Sequence, residues 1–257
     1  MKSLRYCLLS LLIAAWFQAS ICLAQDARQV AQQVLPSVVV VKTYDSEGRS
    51  VGLASGFFVS TNIVATNFHV IDGASRANIR VVGNPKTYQI SGIVAFSKER
   101  DLVLLQVPNV GGTPLILAGD NQTEIAEEIY ALGNPEGLEG TISPGIVSSA
   151  GTRRIGGEDV IQVTAPISHG SSGGPVVNKK GEVIGVAEGF LSEGQNLNFA
   201  VPVKYLVSLL KQIGPLQLFS SVASPRAAGS SEETPTDWFL IASLARFAIS
   251  VYPRTST

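Results

Sequence analysis

The sequence predicts an all-β chain folded as two antiparallel Greek-key β-barrels with short terminal helices. Three observations predict it. Short β-type runs recur along the chain, punctuated by Gly, Asn, Pro and Ser. These runs form two series that meet near Ala118 to Glu124. No helical stretch of the roughly 10–15 residues that a parallel α/β sheet requires alternates with them. The 257 residues suit one large all-β unit or two small barrels, each able to bury a core. A 45% hydrophobic and 15% charged composition excludes wholesale disorder.

Residues 1–24 read as a secretory signal peptide. Lys2 and Arg5 supply the positive start, Leu8 to Phe17 the apolar stretch, and Cys22-Leu23-Ala24 a small-x-small cleavage site. The apolar stretch is far short of the ~20 residues that span a bilayer, so cleavage is favoured over an anchor and the mature form has no transmembrane span. Removing Lys2 and Arg5 leaves 17 basic residues against 20 acidic ones, a net charge of −3. With no basic cluster longer than Arg153-Arg154, nucleic acid is excluded as a partner. Both cysteines, Cys7 and Cys22, fall in the signal, so the mature chain has no disulfide and no thiolate metal or redox site. Ile21 before Cys22 makes lipid attachment there the weaker alternative.

Residues 25–118 are assigned to an N-terminal helix and the first barrel. Ala27 to Leu35 is helical in pattern and closed by Pro36, which disfavours helical geometry in the residue before it. Strand-like runs follow at Val38–Val41, Gly56–Val59, Ile63–Ala65, Ile79–Val82, Ile90–Ala95 and Leu102–Val107. Residues 119–214 supply the second barrel and a C-terminal helix. Its runs are Glu128–Leu132, Gly140–Ser148, Val160–Thr164, Val176-Val177, Val183–Ala187 and Leu197–Val201. Over Pro202 to Ile213 the apolar Val203, Leu206, Val207 and Leu210 share one helical face, which predicts docking on the second barrel. Residues 215–236 are read as a flexible linker, from the Ser, Ala, Pro, Gly and Glu of Ser220 to Thr236. In the last segment, 237–257, Trp238 to Val251 is apolar at helical spacing, a packing helix too short to cross a membrane.

The strongest chemical signal is His169-Gly170-Ser171-Ser172-Gly173-Gly174-Pro175, between two β-type runs. Flanking glycines let the backbone turn tightly and aim amides at the oxyanion formed when a serine attacks a carbonyl; the Gly170 and Ser172 amides are the expected donors. Alone, the segment also fits an ordinary Gly/Ser hairpin loop. A serine of ordinary pKa further needs a base and a group that orients it. His69 follows the strand-like Ile63–Ala65, where a strand end can fix an imidazole. His169 shares the serine's loop and is assigned to the rim of a cleft. Asp101 opens the apolar run Leu102–Leu105, a place for a half-buried carboxylate, whereas Asp72 and Asp120 read as surface or capping residues.

Taken together these segments resemble the trypsin-like, chymotrypsin-fold serine peptidases, and most closely the protease domain of the HtrA/Deg family. The resemblance covers about Val30 to Ile213. It includes Pro36-Ser37-Val38-Val39, Ser55-Gly56-Phe57, Thr66-Asn67-Phe68-His69-Val70, Asp101-Leu102-Val103, Gly119-Asp120, Gly133-Asn134-Pro135, Gly145-Ile146-Val147-Ser148, Gly170 to Pro175 and Asn198-Phe199-Ala200-Val201-Pro202. So many segments in one order are far more specific than a lone Gly-x-Ser-Gly-Gly. The resemblance implies that His69 is the general base, Asp101 its orienting carboxylate and Ser172 the nucleophile. It also implies that no metal or other cofactor is needed.

Departures from the family pattern carry expectations as well. The 43 residues after Gly214 are too few for the usual PDZ module, and Thr43 to Leu53 is too short for a long regulatory loop. Pro166 stands six residues before the nucleophile, where relatives selective for basic residues place an aspartate. With Pro166 and His169, the run Val186-Ala187-Glu188 is expected to wall a substrate pocket for small or medium apolar side chains. Glu188 modifies that pocket unless it points to solvent.

The expected function is hydrolysis of peptide bonds in unfolded or damaged exported proteins, in the periplasm or outside the cell. The alternative is a catalytically quiet chaperone or peptide-binding protein on the same scaffold. Protein or peptide substrates are the expected partners, and the resemblance also allows a homo-oligomer.

Overall fold

The computed structural model describes residues 26–119, 123–134, 137–149, 153–155, 158–190 and 198–222. The expected signal peptide with Cys7 and Cys22, Asp120, residues 223–236 and the Trp238–Val251 segment lie outside the described residues.

Helix α1 (Asp26–Val34) leads through a 3₁₀ turn, Leu35–Ser37, into the first sheet. That sheet comprises β1 (Val38–Tyr44), β2 (Ser50–Ser60), β3 (Ile63–Thr66), β4 (Arg76–Val81), β5 (Thr87–Gln89), β6 (Gly92–Ser97) and β7 (Leu102–Gln106). They are ordered β5-β4-β1-β2-β3-β7-β6, antiparallel throughout. The second sheet comprises β8 (Glu128–Gly133), β9 (Thr141–Ile146), β10 (Arg153–Ile155), β11 (Glu158–Val163), β12 (Pro175–Asn178), β13 (Val183–Phe190) and β14 (Asn198–Pro202). Its order is β10-β11-β14-β13-β12-β8-β9, again antiparallel. The predicted all-β, two-barrel class is what the chain adopts, and each of the twelve runs read from the sequence overlaps a strand, several overrunning its ends by one or two residues. β5 and β10, three residues each, carry too few side chains to show a period.

Three apolar layers hold the barrels. Successive strand side chains point to opposite faces, so strands shared between two layers read as unbroken apolar runs. Leu102 and Leu104 of β7 enter a middle layer, while Val103 and Leu105 fill the first barrel. Likewise Tyr130 and Leu132 of β8 face the middle layer and Ile129 and Ala131 the second barrel.

Helix α2 (Val203–Leu210) stops short of Ile213, and its buried Val203, Leu206 and Leu209 sit in the middle layer. It packs on β13 and β14 but also on β6 and β7, so it bridges both barrels instead of docking on the second alone. The first part of the expected linker is a further correction. Gln217 pairs with Ile93 of β6, and Phe219 and Val222, on the four-residue helix α3 (Phe219–Val222), are buried in the first barrel. An apolar pair at i, i+3 within four residues is too short for a periodic signal, which is why the polar composition around it dominated.

Candidate active site

Strand pairing creates the first half of the site. β3 and β7 run antiparallel with Thr66 opposite Val103, so the residues leaving β3 lie beside those entering β7. The turn after β3 is anchored by Phe68 and Ile71, buried in the first barrel, and between them stands His69. From the other side Asp101 approaches with φ +48°, a left-handed conformation in which Asp is among the few tolerated non-glycine residues. That conformation aims both ends of the residue at the turn. The Asp101 carbonyl accepts from the Phe68 amide at 3.1 Å and from Asn67 Nδ2 at 3.0 Å. Its carboxylate Oδ1 accepts from the His69 amide at 2.8 Å, and Oδ2 lies 2.6 Å from His69 Nδ1.

This pair is unevenly solvated: the Asp101 side chain is 7% exposed and that of His69 26%. Burial alone pushes the imidazole pKa down. The Asp101 charge and hydrogen bond, with smaller help from Glu188 and Asp72, outweigh burial and raise it above the ordinary 6.5. Bonded to a carboxylate at Nδ1, the ring keeps Nε2 as its basic nitrogen.

The second half is the loop between β11 and β12. Gly173, at φ +83°, approaches the first barrel so closely that a Cβ there would sit 2.1 Å from Thr66 Oγ1 and 2.3 Å from the Ser55 carbonyl. Only glycine fits. The loop is stitched to β13 by Gly173 N–H to the Ala187 carbonyl and Ala187 N–H to the Gly174 carbonyl, both 2.8 Å. It is stitched to β2 by the Ser55 amide, which donates to the Ser172 carbonyl at 2.9 Å. Among the described residues, neither the Gly170 nor the Ser172 amide has an acceptor. The Ser172 hydroxyl donates to the Glu188 carbonyl at 3.1 Å, where a bulge in β13 places residue 188 out of register with β14.

The expected pocket residues separate by strand period. Pro166 and Ala187 line a small open cavity, together with Ala131, Leu132, Thr141 and Ser143. Among the described residues, no charged side chain lines it. Val186, one step along β13, is fully buried in the middle layer and turned away from that cavity. Glu188 reaches the site through its carbonyl and through its charge on His69. His169 is exposed in the serine's loop, consistent with a rim position.

Ser55, fully buried, touches the loop through its hydroxyl, and Asn134, also fully buried, holds Ser55; neither is among the site residues expected from the sequence. A serine within an apolar strand and an asparagine between Gly133 and Pro135 were the available signals.

Two antiparallel barrels, with a His–Asp pair from one and a glycine-flanked serine loop from the other, define a chymotrypsin-like two-barrel protein. Residues 54–186, just over half of the chain, match the trypsin-like peptidase domain, and the chain belongs to that family. It is 34% identical over 178 residues to the anti-sigma-I factor RsgI9 of Acetivibrio thermocellus, covering 69% of this chain and 25% of that protein. A "Probable periplasmic serine endoprotease DegP-like" of Rickettsia prowazekii is 34% identical over 181 residues, 65% of this chain and 35% of the relative. The chain thus spans between a quarter and about a third of the length of these relatives. Among solved structures, the active form of the Rv3671c protease from M. tuberculosis superposes with a TM-score of 0.66 at 26% identity, covering 74% of this chain and 86% of that one.

Proposed function

We propose that this chain is an exported serine endopeptidase, with Ser172 as nucleophile, His69 as general base and Asp101 as the carboxylate that orients the imidazole. The observation that carries this reading is the 2.6 Å contact of His69 Nδ1 with Asp101 Oδ2. It leaves Nε2 as the proton acceptor in a family whose chemistry is peptide hydrolysis. In the reaction Ser172 Oγ forms a bond to the peptide carbonyl carbon while its proton passes to Nε2. The carbonyl oxygen becomes an oxyanion that the Gly170 and Ser172 amides receive. The intermediate collapses with cleavage of the C–N bond, and the departing amine takes the proton from Nε2. Water, deprotonated by the same nitrogen, then attacks the acyl carbon; the ester bond to Ser172 Oγ breaks, Oγ takes back the proton from Nε2, and the carboxylic acid product leaves.

The small cavity beside Pro166 and Ala187, with no charged side chain among its described lining residues, favours small or medium apolar side chains at the residue preceding the cut. Unfolded or damaged exported proteins, which expose such residues, are the proposed substrates. The periplasmic description of the Rickettsia relative supports the location.

A quiet peptide-binding role is the second reading, favoured by the Ser172 hydroxyl donating to the Glu188 carbonyl. Activity requires this hydroxyl to turn to the imidazole. Treatment with a fluorophosphonate followed by mass spectrometry decides between them. The peptidase reading expects an adduct on Ser172 that His69→Ala abolishes; no adduct under any activating condition overturns it. A peptide library then reads specificity, with cleavage after Ala, Val or Leu expected over Lys or Arg.

A further inference from the structure

We propose that Ser55, held by Asn134, is a positioning residue for the oxyanion-binding loop, an inference that rests on the serine-peptidase reading above. Three consecutive peptide planes matter there. The first carries the Gly170 N–H, the third carries the Ser172 N–H, and the plane between them carries the Gly170 carbonyl and the Ser171 N–H. That middle plane sets the angle between the two donors. It is pinned at both ends: Ser55 Oγ donates to the Gly170 carbonyl at 2.6 Å, and the Ser171 amide donates to the Ser168 carbonyl at 2.9 Å.

Hydrogen-bond capacity fixes the direction of the Ser55 contact. A serine hydroxyl has one proton and two acceptor sites. Asn134 fills both acceptor sites, with its amide N–H at 2.9 Å and its Nδ2 at 3.2 Å. The single proton of Ser55 is therefore directed to the Gly170 carbonyl. Asn134 is itself fixed, since Nδ2 also donates to the Val39 carbonyl and Oδ1 accepts from the Gly140 amide, each at 3.2 Å. Gly133 makes room for the hydroxyl: a Cβ there would lie 2.8 Å from Ser55 Oγ. Both side chains are wholly buried, so water does not replace the contact.

The anchor is needed because Gly170 sits at φ +90°. Glycine rotates its peptide more freely than any other residue, and the middle plane turns about its bonds. Ser55 belongs to β2 of the first barrel, and its amide also holds the Ser172 carbonyl. One residue thus grips the loop at two points across the seam, and alignment of the oxyanion donors depends on the barrels being correctly docked.

The test compares the full chain with Ser55→Ala and with Ser55→Cys, which keeps the volume and a weak donor. Measured are kcat and KM on a cleavable peptide and affinity for a peptide boronate, which forms a tetrahedral adduct. Affinity for an uncleavable peptide of the same sequence, amide exchange over residues 168–174 and thermal midpoint complete the set. In Ser55→Ala, kcat and boronate affinity are expected to fall by about tenfold to a hundredfold, somewhat less than the loss on removing an oxyanion donor outright. KM and uncleavable-peptide affinity stay unchanged, exchange of 168–174 rises, and Ser55→Cys falls between. Equal losses in boronate and uncleavable-peptide affinity overturn the proposal, as does unchanged exchange over 168–174. An active wild type matched by Ser55→Ala overturns only the role of Ser55. A wild type that neither cleaves nor labels at Ser172 overturns the peptidase reading and this catalytic role with it.

Discussion

At the scale of single residues, the His69–Asp101 pair makes a pH prediction whose sign follows from the electrostatics. The native imidazole pKa is raised, because the charge and hydrogen bond of Asp101 outweigh burial. A general base works in its neutral form, so activity is lost as pH falls through that raised value. The acid limb of kcat/KM is expected above pH 6.5. In Asp101→Asn the limb moves to lower pH, and kcat falls by about 10⁴-fold because the wrong tautomer is held. The same shift means that the pair stabilises the fold most fully below pH 6.5 and loses that contribution as pH rises through the native pKa. A pH–rate profile of both proteins checks the limb, and a limb that does not move in Asp101→Asn contradicts the assignment. Much at this scale was legible in the sequence: His69, Asp101 and Ser172 stand out by residue type and by position next to β-type runs. The φ of +48° at Asp101 was not, because nothing in Arg100-Asp101-Leu102 distinguishes a left-handed residue from the start of a strand.

Among the elements, legibility followed the number of side chains that report the period. β7 has five residues with four buried, and its Leu102-Val103-Leu104-Leu105 is unmistakable because both faces are covered. The bulge at residue 188 left no trace in Val186-Ala187-Glu188, yet it falls where the Glu188 carbonyl meets the Ser172 hydroxyl. Such irregularities arise from tertiary pairing, which local pattern does not encode. Helix α2 was legible in its apolar face but not in its partners. Leu206 is its fully buried residue in the middle layer. Leu206→Ala is expected to cost about 2–5 kcal/mol in urea unfolding, by lost burial and the cavity left behind. Ser208→Ala, on the exposed face, is expected within about 0.5 kcal/mol of wild type.

For the molecule as a whole, the middle layer makes the two barrels interdependent, and the chain's return after α2 closes the arrangement. Having packed α2 across both barrels, the backbone crosses to β6, where Gln217 and Ile93 exchange hydrogen bonds at 2.8 Å in each direction. Gly92 lies against this crossing: a Cβ there would come within 2.4 Å of the Gln217 carbonyl. Phe219 and Val222 then cap the first barrel's interior beside Ile90 and Ile93. This strap begins after the second barrel in sequence but completes the first in space, so the barrel carrying His69 and Asp101 depends on residues more than a hundred positions downstream. Phe219→Ala is expected to cost about 3–5 kcal/mol, the range for emptying a buried aromatic site. Its neighbour Leu218, 65% exposed, marks the contrast: Leu218→Ser is expected within about 0.5 kcal/mol of wild type. Urea midpoints of the two variants check this, read with hydrogen exchange of β6. If Phe219→Ala left both the midpoint and β6 protection at wild-type values, the segment would be a passive tail and the first barrel self-sufficient.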